Sequence, residues 1–477
     1  MQASDSLRTL PQNERQWYGW IAAAAMVSAF TILNYSVFRV DLAVFGFLVV
    51  GLIALGLMLV YWPYGALIAV VTASLIPLFT VRIGAWHAKA EDFVAPFVAV
   101  AIAGQIVTAH RRLRLRFLDW LLIALVTLNF VSSYVNSPQP SATLKWALQF
   151  TLTTFSYFVV AQLISDRERL RKAMSILLIL GTAEVLFGIF CYVSYQIAGT
   201  KLGISIWSFL ENTPAVMGSL WEPNIFGGYA AALAVMFLLY RLTSDRRLGW
   251  YSLGFLLALL ALLLSLARQG WIAFAVGLIF LCWYQISRRK VSLRRVFTFA
   301  VAIAIIAVVL TLLASQGDTY LRHRLETMTH PTQEYTFNQR IYHILMALQH
   351  VREHPWLGWG TNSFSLFWNW QTEQGVEPAW LGNPEVRILH DTGVIGLIIF
   401  IAFLGKLLWD SFVTIKRAIN PADVQETGAL LAGLIVLLVA FQATDATTLA
   451  FPWVHMALLA AATRVVSAKY PIPGGAA

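Results

Sequence analysis

Residues 315–391 read SQGDTYLRHRLETMTHPTQEYTFNQRIYHILMALQHVREHPWLGWGTNSFSLFWNWQTEQGVEPAWLGNPEVRILHD. The stretch is too polar to cross a bilayer, and long apolar segments stand on both sides of it. Six of the nine histidines fall within it, beside Arg322, Arg324, Arg340 and Arg387. Almost everything else is lipid-soluble. Of 477 residues, 58% are hydrophobic and 12% charged, where soluble chains average about 25% charged. Runs of ~18 or more apolar residues recur, each long enough to span ~30 Å of hydrocarbon as a helix. Backbone groups in lipid must be satisfied within the segment, which favours spanning helices. The alternating strands of a transmembrane barrel are not seen. The expected fold is all-α: one polytopic membrane helical bundle over 1–477, with 315–391 inserted as a long, partly helical external loop.

Fourteen spans are predicted: 17–38, 42–61, 65–81, 93–109, 117–135, 145–164, 173–197, 225–240, 250–267, 271–287, 296–314, 393–413, 428–446 and 450–467. The first is long for a signal-peptide core and reads as an uncleaved helix. With the N-terminus inside, the compact basic clusters (Arg111–Arg116, Arg167–Lys172, Arg241–Arg247, Arg288–Arg295, Lys416–Arg417) all fall on one side. This is the positive-inside pattern, and it puts both termini in the cytoplasm. The net charge of +10 is therefore mostly topology. Split among short loops, it forms no stripe for nucleic acid. Cys191 and Cys282 both lie in apolar segments and report no disulfide framework.

The threading leaves 82–92, 198–224, the turn Arg268–Gly270 and 315–391 outside. Arg268 ends a leucine run at the outer membrane edge. It is either a snorkelling arginine or a planar, bidentate donor for phosphate oxygens. Glu222, Pro223 and Asn224 suit a helix start, whose free amides also suit a diphosphate. A helix is predicted over Asn338–His354, with Ile341, Ile344, Leu345, Leu348 and Val351 as an apolar stripe. Such a helix can lie flat on the outer leaflet. Arg340, His343, His350 and His354 share another face. His350 and His354 have metal-ligand spacing, but no HExxH pattern or cysteine joins them, so no metal is assigned. Trp356 and Trp359 suit stacking on sugar rings or interfacial anchoring. Asn383, Arg387, His390 and Asp391 lead into a span. His390 or Asp391 can take a proton from a hydroxyl; Asp391 equally suits an N-cap. Glu184 and Asp445 read as charges inside spans, either paired between helices or marking an ion route.

In this order the pieces resemble the O-antigen ligase and polysaccharide polymerase family of bacterial inner membranes. The resemblance rests on Pro223-Asn224-x-x-Gly227, Ser265-x-x-Arg268-x-x-Trp271, the Arg340 helix running into Glu353–Gly360, and Asp391-Thr-Gly-Val-Ile-Gly396. It covers about 215–415. It implies about twelve helices, a periplasmic active face, and transfer of a glycan from a polyprenyl (undecaprenyl) diphosphate carrier. The acceptor would be lipid A–core, a second glycan or a protein. No cofactor, metal or nucleotide is implied. Arg268, Arg340 and Arg387 would hold the diphosphate, Asn224, Asn383, Trp356 and Trp359 would contact donor or acceptor, and His390 or Asp391 would serve as base. Many members place a His-Asn pair where this chain reads Gly382-Asn383, so the base is the point of departure. A transporter or flippase for an anionic or lipid-linked solute is the alternative, with Glu184 and Asp445 as its residues.

Overall fold

A computed structural model of the chain describes residues 62–83, 86–108, 115–207, 213–243, 249–288, 335–372 and 375–470. The predicted spans 17–38, 42–61 and 296–314 lie outside them, and each of the others overlaps a helix. In chain order the elements are α1 (Tyr64–Ser74), β1 (Thr80–Ile83), β2 (Trp86–Lys89), α2 (Glu91–Thr108), α3 (Phe117–Val135), α4 (Pro140–Leu163) and α5 (Arg167–Ala198). There follow β3 (Ile204–Trp207), β4 (Thr213–Val216), α6 (Pro223–Thr243), α7 (Trp250–Leu264) and α8 (Arg268–Arg288). The last group is α9 (Tyr335–His350), α10 (Phe364–Phe367), β5 (Asn369–Thr372), β6 (Gly375–Pro378), α11 (Pro384–Arg417), α12 (Pro421–Ala440) and α13 (Ala450–Lys469). Among the described residues, α3, α5, α6, α11, α12 and α13 are long and apolar enough to cross a membrane, so the chain is a multi-pass helical membrane protein.

The bundle is built around α6, which is apolar on all sides and buried over most of its length, as a helix with no polar face must be. Small residues let its neighbours approach. A Cβ on Gly227 would lie 2.4 Å from the Ala267 Cβ, and one on Gly228 2.8 Å from the Ala440 Cβ. Packing of this kind replaces the hydrophobic drive that lipid removes.

Among the described residues, three antiparallel hairpins, β1–β2, β3–β4 and β5–β6, fall in segments for which the sequence predicts no strand. Their four-residue strands offer too few alternations to stand out in a sequence. The turn expected at Arg268–Gly270 lies instead at Ser265–Ala267, with Leu266 at φ 54°, so Arg268 is the first residue of α8. The helix expected over Asn338–His354 runs over Tyr335–His350 and tightens to a 3-10 turn at Val351–Glu353.

The segment predicted as a span to residue 446 leaves the helix at Ala440, and a nine-residue link, 441–449, leads to α13. Asp445 therefore sits in this link and not inside a span. Its Oδ1 accepts from Thr447 N at 2.8 Å and Thr447 Oγ1 at 2.6 Å, a local turn that competes with helix. The link is the hub of one end of the bundle. Lys89 Nζ donates to Thr448 O at 2.9 Å, Ala450 N donates to Glu91 Oε2 at 3.0 Å, and Thr444 Oγ1 donates to Glu222 Oε2 at 3.0 Å. The opposite end is basic. There buried Asp423 holds Arg167 Nε at 2.7 Å and Lys469 Nζ at 3.6 Å.

Candidate functional site

The site end is organised by the start of α11. Asn383 is the N-cap: its Oδ1 accepts from Val386 N at 2.9 Å, and Pro384 opens the first turn. Asp391 is thus not the cap. Arg387, His390 and Asp391, spaced i, i+3 and i+4, share one helix face, and all three are buried.

Two residues beyond Asp391, the helix breaks at Gly393, whose φ is 69°. The turn His354–Gly360 is laid into the break. A Cβ on Gly393 would lie 2.3 Å from the Trp356 carbonyl, and one on Gly358 (φ 69°) 2.6 Å from the Gly393 nitrogen. In an unbroken helix Val394 N and Ile395 N would bond to the carbonyls of His390 and Asp391. Here Val394 N donates to Pro355 O at 2.8 Å and Ile395 N to Trp356 O at 3.4 Å. The two freed carbonyls accept from Trp359 N and Gly360 N, each at 2.9 Å. Two segments exchange backbone bonds, so these four backbone groups at the kink are satisfied. Side chains reinforce the splice. Asn362 N donates to Asp391 Oδ2 at 2.9 Å, Ser132 Oγ to Asp391 O at 2.6 Å, and Asn136 Nδ2 to Gly358 O at 2.8 Å.

Arg387 lies between two carboxylates. Its Nε pairs with Asp445, its Nη2 donates to Thr447 Oγ1, and its Nη1 is 3.7 Å from Asp391 Oδ2. The pairing satisfies what would otherwise be a costly buried cation. His390, fully buried, has its Nε2 3.1 Å from His350 Nδ1 and its Nδ1 3.4 Å from Ser363 Oγ. The His350 ring is stacked on Trp359 at 4.2 Å and 10°, and Phe367 and Trp368 meet it edge-on. His354 meets the same indole at 89°. Both rings of the i, i+4 pair are thus engaged with Trp359. Burial first, and the charge His390 would carry second, push His350 down to about 4, so at neutral pH it is an uncharged imidazole with an acceptor nitrogen.

Trp359 is held inside this aromatic group, its Nε1 donating to His350 O at 3.0 Å, whereas Trp356 is 67% exposed. Arg340 is half-buried on α9, which packs through Ala347 against Phe364, Ala379 and Leu381. Asn383 Nδ2 donates to Gln442 Oε1 at 2.9 Å. On the far side of the link, Asn224 Nδ2 donates to Glu222 Oε1 at 2.5 Å, and Glu222 in turn accepts from Thr444. The first turn of α8, which Arg268 opens, packs directly on α6: a Cβ on Gly270 would lie 2.9 Å from the Gly227 carbonyl carbon. The order in space runs from Arg268 through Asn224 and Glu222 to the link, and then to Arg387, His390, His350 and α9.

The link residues Thr444 and Thr447, and the pairing of His350 with His390, were not anticipated. The polar run Gln442–Thr448 was a visible signal, since it interrupts two apolar segments. Glu184, by contrast, does lie within a helix. Its Oε1 accepts from Ser219 N at 2.8 Å and its Oε2 from Ser219 Oγ at 2.6 Å, tying α5 to the segment before α6.

Comparison with curated proteins gives no match. Residues 253–401 match the family described as O-antigen ligase. The match begins in α7 and ends beyond the α11 kink, and it includes Arg268, Arg340, His350, Arg387, His390 and Asp391. Over this stretch, about a third of its length, the chain is similar to the O-antigen ligase family.

Proposed function

We propose that the chain transfers a glycan from a polyprenyl (undecaprenyl) diphosphate carrier to an acceptor hydroxyl on lipid A–core or on a second glycan, at the periplasmic face of a bacterial inner membrane. The observation that carries this reading is the convergence of arginine and imidazole side chains at one end of the bundle, with the basic clusters at the other. The acceptor oxygen attacks the anomeric carbon, and the bond from that carbon to the diphosphate oxygen breaks. The leaving diphosphate gains charge in the transition state. Arg268, at a helix start, and Arg340 neutralise it, as fixed donors aimed at developing charge do. No electron-transfer chemistry is involved.

The hydroxyl proton goes to the His350–His390 pair. The proton reaches fully buried His390 through half-buried His350, whereas Asp391 Oδ2 already accepts from Asn362 N and faces Arg387. Asp391 and Arg387 then position: they lock the turn and the link against α11. Trp356, exposed beside the kink, is the ring offered to a sugar face. Of the residues of the transporter reading, Glu184 is bonded to Ser219 and Asp445 is paired with Arg387.

The test uses purified protein in lipid vesicles with a polyprenyl-diphosphate oligosaccharide and a panel of acceptors. Arg268→Ala and Arg340→Ala should each lower transfer by about 100-fold or more. A wild type that forms no glycosidic product with any acceptor, yet moves labelled solute across the bilayer, would refute the proposal.

A further inference from the structure

The helix α9 carries its polarity the wrong way round for an element in water. Its inward side holds His343 (3% exposed), Ala347 (fully buried), half-buried Arg340 and half-buried His350. Its outward side presents Phe337, Ile341, Leu345 and Leu348, between 37% and 55% exposed. These four recur at spacings of four, four and three and therefore share one face. A helix with water outside it would keep that row inward and turn the arginine and histidines out. Asn338 and Gln349, both exposed, stand at one edge of the row.

The surroundings say what covers the row. The chain leaves α9 through Val351–Glu353 and enters the turn seated on the Gly393 kink, where Trp356 is exposed. From that kink α11 descends with Ile395, Ile398 and Ile401 exposed on its outer side, as a span facing hydrocarbon would have them. The apolar surface thus continues from the outside of a spanning helix, through an exposed tryptophan at its top, to the outside of α9. A tryptophan at that level is the usual mark of a membrane–water interface.

We propose that α9 is an interfacial helix that docks on the bilayer itself through Phe337, Ile341, Leu345 and Leu348, so that lipid contact sets the position of Arg340 and His350. The apolar row sinks into the headgroup–acyl boundary, Asn338 and Gln349 mark its waterline, and the inward face is pressed on α10 and α11. The proposal does not depend on which reaction the site performs.

The test reads depth, not activity. The full chain carries a nitroxide on Ile341→Cys, Leu345→Cys or Gln349→Cys and is placed in phosphatidylethanolamine–phosphatidylglycerol vesicles. The protein without the added cysteine supplies the background from Cys191 and Cys282. Collisions with oxygen, which partitions into lipid, are compared with those of a water-soluble nickel chelate. The oxygen-to-nickel ratio should be several-fold higher at 341 and 345 than at 349. A nickel-dominated signal at 341 and 345 puts the face in water and overturns the proposal. Protection from both reagents overturns it too, in favour of a second copy where the labels broaden one another and of another segment of this chain where they do not. A ratio that rises only after polyprenyl phosphate is added assigns the face to the donor's tail and likewise overturns it. Full transfer activity with a nickel-dominated label would defeat this inference alone and leave the glycosyl-transfer reading standing.

Discussion

Arg387 is a buried cation whose neighbours were chosen for charge. Asp445 meets its Nε and Asp391 lies 3.7 Å from its Nη1, while Thr447 takes its Nη2. Removing Asp445 leaves the guanidinium with one distant carboxylate, and breaking a buried pair from one side costs about 3–5 kcal/mol. Asp445→Leu should therefore lower the temperature of irreversible unfolding in detergent, and Arg387→Met with Asp445→Leu should recover most of the loss. Failure of the double variant to recover would mean that Arg387 has a stabilising partner beyond this pair. His350 gives the second prediction at this scale. Burial first and His390 second hold it at about 4, below the ordinary 6.5. The released or unfolded loop then binds a proton as pH falls through about 6.5, while the docked form does not until about 4. The stability of docking is complete above the upper value and declines as pH drops toward the lower one. Amide exchange over residues 343–350 should accelerate from pH 7 to pH 5 in wild type, after correction for the intrinsic pH dependence of exchange. His350→Gln should flatten that response, and equal slopes in the two proteins would remove His350 from the explanation.

Among the elements, the exchanged backbone bonds between the His354–Gly360 turn and α11 carry the most structural consequence. Gly393 must hold φ 69° with the Trp356 carbonyl 2.3 Å from where its Cβ would be. Gly393→Ala meets both a strained dihedral and a backbone clash, with no flexible side chain able to yield. The expected result is a loss of about 3 kcal/mol or more in docking of the turn, seen as protease sensitivity near Trp356 with helix content unchanged. Resistance equal to wild type would show that the splice is dispensable. The sequence placed the helices here well, because long apolar runs bounded by charge have few alternative readings. It set Arg387, His390 and Asp391 just ahead of a span, whereas they lie inside the first turns of α11. It began the span at 393, where the apolar run starts, and so missed the helical turns from Pro384 that precede the break at Gly393. It ran the helix on through Gln442 to Ala446 because the preceding leucines and valines dominate any span-length average. The pairing of His350 with His390, forty residues apart, depends on how α9 docks, and no local periodicity encodes that.

At the scale of the whole molecule the two ends are chemically unlike, and the difference predicts orientation. Arg116, Arg167, Lys416, Arg417, Arg464 and Lys469 mark the ends of α3, α5, α11 and α13 away from the site. Arg464 Nη2 donates to the Ala161 carbonyl at 2.5 Å, and Asp423 gathers Arg167 and Lys469, so this end is both basic and clamped. Basic ends stay on the cytoplasmic side of a membrane. The hub link, α9 and the α11 start are then predicted to face the periplasm, where a lipid-linked glycan would be met. Asn338 and Gln425 are suitable reporters, since Asn338 is exposed on α9 and Gln425 lies in the second turn of α12, where its Nε2 donates to Thr243 Oγ1 at 2.6 Å. With an impermeant maleimide, Asn338→Cys should label in intact cells whose outer membrane is permeabilised, and Gln425→Cys only after lysis or in inverted vesicles. The reverse pattern would turn the molecule over and take the periplasmic donor with it. Labelling of both sites from one side would break the alternation of helix ends on which the bundle is built.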